Sequence, residues 1–314
     1  MKHFILILSF IVIPNMMGQS ILGIDVSHHQ GSINWTMVAN DAKVFAYCKA
    51  TEGMTYQDPN FATYMVQGIA AGVVMGAYHF ARPDNNTAIQ DADNFISHAQ
   101  NYIGDGFLPP VLDLEDPNSS THLDNIYTSN QLTNWVQAWF DRVESQTGVR
   151  PIIYSNSNYA NYLNSSLNTY GLWIAKPGTS ATTPPTNMGV WNDWMFKQYS
   201  WYGSVNGISG NVDLDVYHGT IDDFNAMIHP TAIHQISKNN LRIFPNPVRN
   251  QLHIDNKISI SIVNLSIFDT NARLIRQITP EAKIIDVSQL QKGFYILKVY
   301  FENGQTSFIK FIKE

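Results

Sequence analysis

Short apolar runs recur along the first 228 residues, separated by longer polar or mixed segments. Such runs, bounded by turn-forming residues, are typical of strands buried on both faces. Between several runs the apolar residues recur at helical spacing, which predicts helices over residues 60–71, 87–102 and 129–147, the last with Ser129 as its N-cap. Eight runs are strand candidates: residues 21–27, 44–50, 73–80, 109–115, 151–156, 171–176, 195–200 and 211–217.

The alternation of strands and helices predicts an α/β domain, a modified TIM-like (β/α) barrel. The segments before the last two strands carry little helical pattern, so we expect these strands to close the barrel without complete strand–helix units. The C-terminal ends of barrel strands meet at one pocket. The strand ends carry acidic, basic, amide or aromatic side chains: Asp25; Lys49 and Glu52; Tyr78 and His79; Asp113 and Glu115; Tyr154; Trp173 and Lys176; Gln198 and Tyr199; Asp213 and Asp215.

The stretch VLDLED, residues 111–116, places two carboxylates on one side of a strand. Side chains alternate along a strand, so Asp113 and Glu115 point the same way, with Cα atoms about 6.6 Å apart. Neighbouring carboxylates repel each other and are costly to bury, which favours a functional role. We expect the repulsion to keep Glu115 protonated beside a charged Asp113. Asp116 faces the other way and is expected to be a solvated loop residue or a turn former before Pro117.

A second domain is predicted over residues 241–314, where alternating apolar and polar residues form short strands joined by Asn and Gly turns. The Asn-Gly pair in ENGQ, residues 302–305, favours a tight hairpin. The pattern predicts a small all-β antiparallel sandwich. The polar residues 229–240 form the predicted linker, and all seven Trp lie at or before Trp201.

The N-terminus has the pattern of a secretory signal peptide over residues 1–19: a basic start, an apolar core and a small-residue exit. A buried N-terminal strand is the structural alternative. The apolar run is too short for a typical membrane span. Cys48 is the single cysteine, which excludes an internal disulfide, and its apolar surroundings predict a buried, inert thiol.

The composition of the chain limits the classes of function that it can have. Charged residues make up only 14% of the chain and aromatic residues 12%, which suits an exported protein that handles neutral polar ligands such as sugars. The part before residue 241 is acidic overall, which argues against nucleic-acid binding. There is no phosphate loop, HExxH, Cys/His metal spacing or G-x-S-x-G elbow, so we expect no cofactor and no metal. The remaining cluster of carboxylates among aromatic and amide side chains fits glycoside hydrolysis.

A family pattern covers residues 21–228. It is carried, in order, by GIDVSHHQGSINW (23–35), KATEG (49–53), GAYHF (76–80), PPVLDLE (109–115), PIIYSN (151–156), LWIA (172–175) and KQYSWYGSVNGISGNVDLDVY (197–217). These segments closely resemble glycoside hydrolase family 25, the Chalaropsis-type lysozymes or N-acetylmuramidases. The resemblance implies that residues 20–228 form a modified α/β barrel that cleaves the β-1,4 bond between N-acetylmuramic acid and N-acetylglucosamine in peptidoglycan.

The resemblance also implies roles for the carboxylates. Glu115 matches the general acid of the family, and Asp113 matches the acid two residues before it. Asp25 and Asp213 match the two other pocket carboxylates, while Asp215 stands where the family often has Asn. Because the substrate carries a 2-acetamido group, Asp113 can orient that amide for attack on the anomeric carbon. The spacing on the strand equally permits an inverting attack by water.

Further side chains are candidate substrate contacts: Tyr78, Tyr154, Trp173, Gln198, Lys49, Glu52 and His79. The alternatives are a core role for the aromatic residues, a structural role for His79, and an ion pair between Lys49 and Glu52 within the pocket.

The C-terminal segments IFPNPVRNQLHI (243–254), SIFDTNARLI (266–275) and IDVSQLQKGFYILKV (285–299) resemble the sorting domain of the type IX secretion system of Bacteroidota. The resemblance implies export across the outer membrane to the medium or the cell surface, with the secretion machinery as partner. An immunoglobulin-like spacer or a cell-wall-binding module is the alternative. We expect a monomer.

Two other functions remain compatible with the sequence. One is a chitinase-like hydrolase of 2-acetamido glycans, since chitinases also use a D-x-E pair. The other is a non-catalytic peptidoglycan-binding module. The intact acids at 25, 113, 115 and 213 argue against the binding module, because a silent relative would tolerate losing one of them.

Overall fold

The computed structural model describes residues 20–229, 241–256, 261–270, 273–279, 284–301 and 306–314. The predicted signal peptide and nearly all of the predicted linker lie outside these residues. The strands of residues 20–229 are β1 (Ile21–Val26), β2 (Phe45–Glu52), β3 (Tyr56–Gln57), β4 (Val74–Phe80), β5 (Val111–Leu114), β6 (Ile152–Ser155), β7 (Leu172–Ala175), β8 (Phe196–Gly203) and β9 (Val212–Tyr217). The helices of this segment are α1 (Trp35–Asn40), α2 (Phe61–Ala71), α3 (Ala88–Ala99), α4 (Leu123–Ile126), α5 (Ser129–Thr147), α6 (Ser157–Tyr162) and α7 (Ile221–Ile228).

Eight strands form a closed barrel in the order β1-β9-β8-β7-β6-β5-β4-β2, and pairing of β1 with β2 completes the ring. Neighbouring strands are parallel except at β9, which runs antiparallel to both β8 and β1. The short β3 pairs with β2 outside the ring. These are the eight predicted strands, so the α/β barrel is confirmed. Within residues 20–229, no α-helix separates β7 from β8 or β8 from β9, as the sequence predicted.

Alternating side chains divide the barrel core into two apolar layers. Tyr47, Trp173 and Phe196 point into the barrel and form one buried cluster. Leu112 points outward and joins a larger cluster that includes Trp139 of α5. Full burial of one such large side chain stabilises the fold by about 1.5–3 kcal/mol. Turning a strand over would lose several of these contributions, so the two layers fix which strand residues face the pocket.

Helix α7 closes the N-terminal end of the barrel. Because β9 is antiparallel, it returns the chain from the pocket end to the opposite end. Phe224 and Ile228 of α7 then pack against the interior cluster. We call this closed end the barrel floor.

The caps of α5 differ from the prediction in one residue. Thr128, not Ser129, is the N-cap, and its hydroxyl accepts from the Gln131 backbone N–H while the Gln131 side chain accepts from the Thr128 N–H at 2.9 Å. This reciprocal pair satisfies two otherwise free helix donors. The Ser129 hydroxyl instead donates to Asn164 Oδ1 at 2.7 Å. Gly148 ends the helix with φ of 70°, a left-handed conformation that glycine adopts without strain.

The C-terminal domain consists of two antiparallel sheets, which confirms the predicted all-β sandwich. Its strands are β10 (Leu241–Phe244), β11 (Gln251–Asn256), β12 (Ile262–Asp269), β13 (Leu274–Ile278), β14 (Ile284–Asp286), β15 (Gly293–Phe301) and β16 (Thr306–Lys313). The sheets have the orders β10-β11-β14 and β13-β12-β15-β16, and Leu252, Leu297 and Phe311 lie in their shared core. The predicted Asn-Gly turn lies outside the described residues. Within the described part of the chain, no helix is long and apolar enough to cross a membrane.

Candidate active site

A pocket of about 400 Å³ opens at the C-terminal ends of the parallel barrel strands. The following predicted residues line it: Asp25, Lys49, Tyr78, Asp113, Glu115, Tyr154, Trp173, Gln198 and Asp213. Asp213 reaches the pocket from the beginning of β9, because this strand runs in the opposite direction. Its placement at the C-terminal end of a strand was therefore wrong, although the side chain does face the pocket.

Asp113 and Glu115 lie at the end of β5 and both line the pocket. Burial, with repulsion from Glu115, raises the pKa of Asp113 well above its ordinary value, since this carboxyl is only 7% exposed. Burial raises the pKa of Glu115 to about 7, against the opposing charge of Lys49. The pair therefore retains a proton near neutral pH. The structure does not favour the predicted lone charge on Asp113, because its burial makes that charge costly.

Strands β1 and β9 supply a second group of carboxylates. Asp25 and Asp213 are directly paired in the antiparallel register. Burial raises the pKa of Asp25 well above its ordinary value, and the charges of Asp213 and Asp215 act in the same direction. Burial raises the pKa of Asp213 to about 6. Asp215 is fully buried and accepts from Trp173 Nε1 at 2.9 Å, so it lies behind the pocket wall.

Lys49 is a positively charged member of the pocket wall and is held from behind by other charges. Its Nζ lies 2.7 Å from Glu52 Oε2 and 4.6 Å from the ring centroid of Phe80. The other Glu52 oxygen pairs with Arg82 Nη1 at 3.0 Å, and Arg82 makes two bonds of 2.9 Å to Asp84. Although partial burial acts to raise the pKa of Glu52, the bonds and charges of Lys49 and Arg82 lower it overall. The alternative of an ion pair between Lys49 and Glu52 is therefore what the structure contains, and Glu52 is not among the lining residues.

Gln198 is the centre of a hydrogen-bond network in the pocket wall. Its Nε2 donates to Asp25 Oδ2 at 2.7 Å. Its Oε1 accepts from the Tyr154 hydroxyl at 2.9 Å and from Trp201 Nε1 at 2.8 Å. The network leaves the amide one orientation, with its N–H toward the carboxylate. It therefore fixes Asp25 and two aromatic rings relative to each other.

His79 lies outside the pocket, which corrects its prediction as a substrate contact. It is adjacent to Tyr78 on β4, and adjacent strand residues point to opposite faces, so His79 points away from the barrel interior. The side chain is completely buried, with Nδ1 2.7 Å from the Thr51 hydroxyl and Nε2 3.1 Å from Asp91 Oδ2. Burial lowers the pKa of His79. Its role is structural, which was the alternative reading.

Asp116 is more than a solvated loop residue. Its carboxylate accepts from the Tyr159 hydroxyl and from the Leu123 backbone N–H at 3.3 Å, and lies 2.8 Å from His122 Nδ1. These contacts outweigh partial burial and lower the pKa of Asp116. They fasten the segment that directly follows Glu115 to α4 and α6.

The pocket wall also contains residues that sequence analysis did not select: Val26, Ser27, His29, Gln30, Phe80 and Trp201. Phe80 stands two residues after Tyr78, so strand alternation could have found it. Trp201 stands three residues after Gln198 and would face away in a regular strand, but a register shift between Gln198 and Ser200 turns it inward. No sequence signal marks that irregularity.

The arrangement supplies a buried acid of raised pKa, further carboxylates, a cation and an aromatic wall. These groups can protonate a leaving oxygen, stabilise positive charge at a sugar carbon and stack on sugar rings. Among the described residues, no group of three or more His, Cys, Asp or Glu side chains is arranged to hold a metal ion.

Comparisons with known proteins agree with this chemistry. Residues 24–208 match the family described as glycosyl hydrolases family 25, and residues 242–314 match the family described as secretion system C-terminal sorting domain. Lysozyme M1 of Streptomyces globisporus is 37% identical over 215 residues, which cover 67% of this chain and 72% of that protein. The N,O-diacetylmuramidase of Chalaropsis sp. is 34% identical over 206 residues, covering 62% of this chain and 96% of that enzyme.

The fold of the barrel has a counterpart among solved structures. The crystal structure of a bacterial lysozyme from Streptomyces coelicolor superposes with a TM-score of 0.63 at 35% identity, and covers 68% of this chain and 99% of that one. From the matched family, the shared barrel and the pocket at its open end, we conclude that this chain belongs to glycosyl hydrolase family 25 and carries a secretion-system sorting domain behind its barrel.

Proposed function

We propose that this chain is a secreted muramidase that hydrolyses the β-1,4 bond between N-acetylmuramic acid and N-acetylglucosamine in peptidoglycan, with Glu115 as the general acid. The observation that carries the proposal is the pair of carboxyl groups at the end of β5, of which Glu115 has a pKa of about 7. An acid of that pKa is about half protonated at neutral pH and transfers its proton readily to a leaving oxygen. The relatives named lysozyme and N,O-diacetylmuramidase support the substrate class.

Glu115 protonates the glycosidic oxygen as the bond to the anomeric carbon breaks. Burial supplies the raised pKa, and Lys49 limits the rise. The contacts of Asp116 to α4 and α6 hold the backbone that carries the acid. An acid held in position increases the reaction rate, because its side chain loses less orientational freedom on the way to the transition state.

Asp113 acts on the substrate's own 2-acetamido group. Its carboxyl accepts from the amide N–H and turns the carbonyl oxygen toward the anomeric carbon, where a cyclic intermediate forms and is then opened by water. This route retains the anomeric configuration, whereas direct attack by water inverts it. An NMR measurement of the first-formed anomer distinguishes them. An inverted product assigns Asp113 to activating the water instead.

Asp25, Asp213 and the Gln198 network form the part of the wall that receives the sugar and stabilises charge at its ring. The Gln198 amide orients Asp25, and the Tyr154 and Trp201 side chains are fixed by the same network. Tyr78 provides a further ring face in the wall, whereas Trp173 touches the pocket only at its margin, since it is 2% exposed and stacked on Tyr47. Aromatic faces suit the apolar side of a sugar, while Lys49 serves the anionic lactyl group of N-acetylmuramic acid.

The proposal is tested by digesting purified peptidoglycan and chitin and identifying the new reducing ends. We expect N-acetylmuramic acid at the reducing end and no action on chitin. Release of N-acetylglucosamine ends from chitin would assign the chitinase-like alternative. Glu115→Gln should reduce the rate by about a thousandfold or more while leaving peptidoglycan binding intact. Unchanged turnover by this variant would remove Glu115 from the role of acid, and absence of turnover in the wild-type enzyme would favour a binding module.

The C-terminal domain directs export by the type IX secretion machinery. We propose the division into a signal peptide (1–19), a catalytic barrel (20–228), a linker (229–240) and the sorting domain (241–314), and a monomeric enzyme. Mass spectrometry of secreted protein would locate the mature ends, and light scattering would give the mass in solution. An extracellular enzyme with an uncut tail and no surface anchor would contradict the sorting role.

A further inference from the structure

One face of the sorting domain is buried although it points away from the domain's own core. Along β15, Leu297 and Val299 point into the sandwich core. Alternation places Ile296 and Lys298 on the opposite face, which would be solvent-exposed in an isolated domain. Both residues are only 2% exposed. A lysine is almost never this buried without a partner, so another surface must cover it.

The covering surface belongs to the barrel. Lys298 Nζ donates to the Asn101 carbonyl oxygen at 3.3 Å. The Phe308 ring of β16 lies parallel to Tyr102, with centroids 6.4 Å apart, and edge-on to Phe107 at 5.3 Å. On the same strand face, Lys310 Nζ donates to the Ala70 carbonyl oxygen at 2.7 Å. We call Ile296, Lys298, Phe308 and Lys310 the docking face.

The contacted barrel residues lie at the floor, away from the pocket. Ala70 is in the last turn of α2, just before β4 begins, and residues 101–107 precede β5. These positions are at the N-terminal ends of strands, whereas the pocket is at their C-terminal ends. The chain also leaves the barrel at the floor, where His229 Nδ1 lies 2.8 Å from Asp105 Oδ1.

The Lys298 contact has the properties of a specific interface. Its ammonium lies near three ring centroids, those of Tyr300 at 4.8 Å, Phe308 at 5.2 Å and Tyr102 at 6.0 Å. Burial lowers the pKa of Lys298 to about 8. Aromatic faces compensate part of that desolvation, because their negative π-faces attract a cation. Two of these rings come from the sorting domain and one from the barrel, so undocking would remove part of the compensation.

We propose that the sorting domain docks on the barrel floor through the docking face, so that the uncleaved chain is one body with an open catalytic pocket. The partner surface on the floor combines the rings of Tyr102 and Phe107 with the backbone carbonyls of Asn101 and Ala70, which fits the apolar and lysine side chains of the docking face. Removal of the tail would expose the rings of Tyr102 and Phe107. The contacts that support docking lie between the two domains and involve no residue that lines the pocket.

The test compares full-length Phe308→Asp with full-length Leu274→Asp. Leu274 is 50% exposed on β13, at the opposite edge of the same sheet, and is the matched control. Phe308 points away from the sandwich core, so its substitution leaves the sorting domain folded, which unchanged hydrogen exchange in β12 and β15 verifies. We expect exchange over residues 99–108 to accelerate by about tenfold or more in Phe308→Asp only. We also expect its radius of gyration from X-ray scattering to increase.

Equal exchange over residues 99–108 and equal radii of gyration for wild type and Phe308→Asp would overturn the proposal. Cell-wall hydrolysis provides a second readout. We expect equal rates for wild type and Phe308→Asp, because the docked tail leaves the pocket open. A faster rate in Phe308→Asp would show that the tail obstructs the pocket, which would also overturn it.

Discussion

The Glu115→Gln variant should be more stable than the wild-type enzyme at alkaline pH, in addition to being inactive. Burial raises the pKa of this carboxyl from 4.5 to about 7. The folded enzyme therefore binds the proton more tightly than the unfolded chain. Linkage then requires the free energy of unfolding to fall as the pH rises from 4.5 to 7, and to change no further above 7. A neutral glutamine has no such dependence.

The size of the effect follows from the same shift. A rise in the Glu115 pKa from 4.5 to about 7 corresponds to a loss of about 3.4 kcal/mol in the free energy of unfolding above pH 7, before solvent screening is considered. Because Glu115 is partly exposed, solvent screening reduces the expected difference to about 2–3 kcal/mol. For a domain of this size, about 1 kcal/mol changes the melting temperature by about 2–4 °C. Glu115→Gln should thus melt about 4–12 °C above wild type at pH 8, and at the same temperature as wild type at pH 4.

The assay is thermal unfolding of both proteins at pH 4, 6 and 8, followed by calorimetry. Glu144→Gln, the same chemical change on the partly exposed outer side of α5, where the carboxylate lies 3.9 Å from Arg150 Nη1, is the control for loss of a carboxylate outside the pocket. An unfolding difference between Glu115→Gln and wild type that is the same at all three pH values would refute the reasoning. It would mean that folding does not raise the Glu115 pKa, and the acid assignment would lose its physical basis.

Four further outcomes are expected. The rate of hydrolysis (kcat/KM) should fall about tenfold per pH unit above about pH 7, where Glu115 loses its proton; a constant rate to pH 9 would contradict the assignment. Lys49→Met should move this fall upward by roughly one pH unit, because the Lys49 charge lowers the Glu115 pKa, whereas Lys43→Met at the other end of β2 should not. Trp201→Phe removes the indole donor to Gln198 and should raise KM several-fold, roughly the loss of one hydrogen bond, with kcat unchanged. Thr128→Ala should lower the unfolding free energy by about 1 kcal/mol in thermal melts, and Thr128→Ser should restore it.

The sequence predicted the barrel because its physical determinants are local. Side chains alternate between the two faces of a strand, so Val111 and Asp113 both point into the barrel. Eight apolar runs of this kind are enough to predict the eight strands of the closed ring. The same rule, applied strictly, excludes His79, whose neighbour Tyr78 faces the pocket. Position at the end of a strand is therefore not sufficient to place a side chain in the pocket, because the face of the strand on which the residue lies also decides it.

The remaining site features depend on contacts that no local pattern records. Trp201 enters the pocket through an irregularity in β8, and Arg82 reaches Glu52 from a separate loop. The direction of β9 is also not local, since the residues of a strand read the same in a parallel or an antiparallel sheet. The charge state of Asp113 depends on burial beneath the aromatic wall, which becomes known only once the barrel closes.

The reversed strand β9 has a consequence for the evolution of such enzymes. It carries Asp213 at the pocket and ends four residues later, at Tyr217, on the side of the floor, where α7 seals the barrel. Any segment that follows α7 in the chain therefore begins at the floor, far from the bond that is cleaved in the pocket. A gene fusion at this point adds a new module without disturbing catalysis. The catalytic barrel can thus be joined to different C-terminal export domains. The same barrel can therefore serve organisms that use different routes of export.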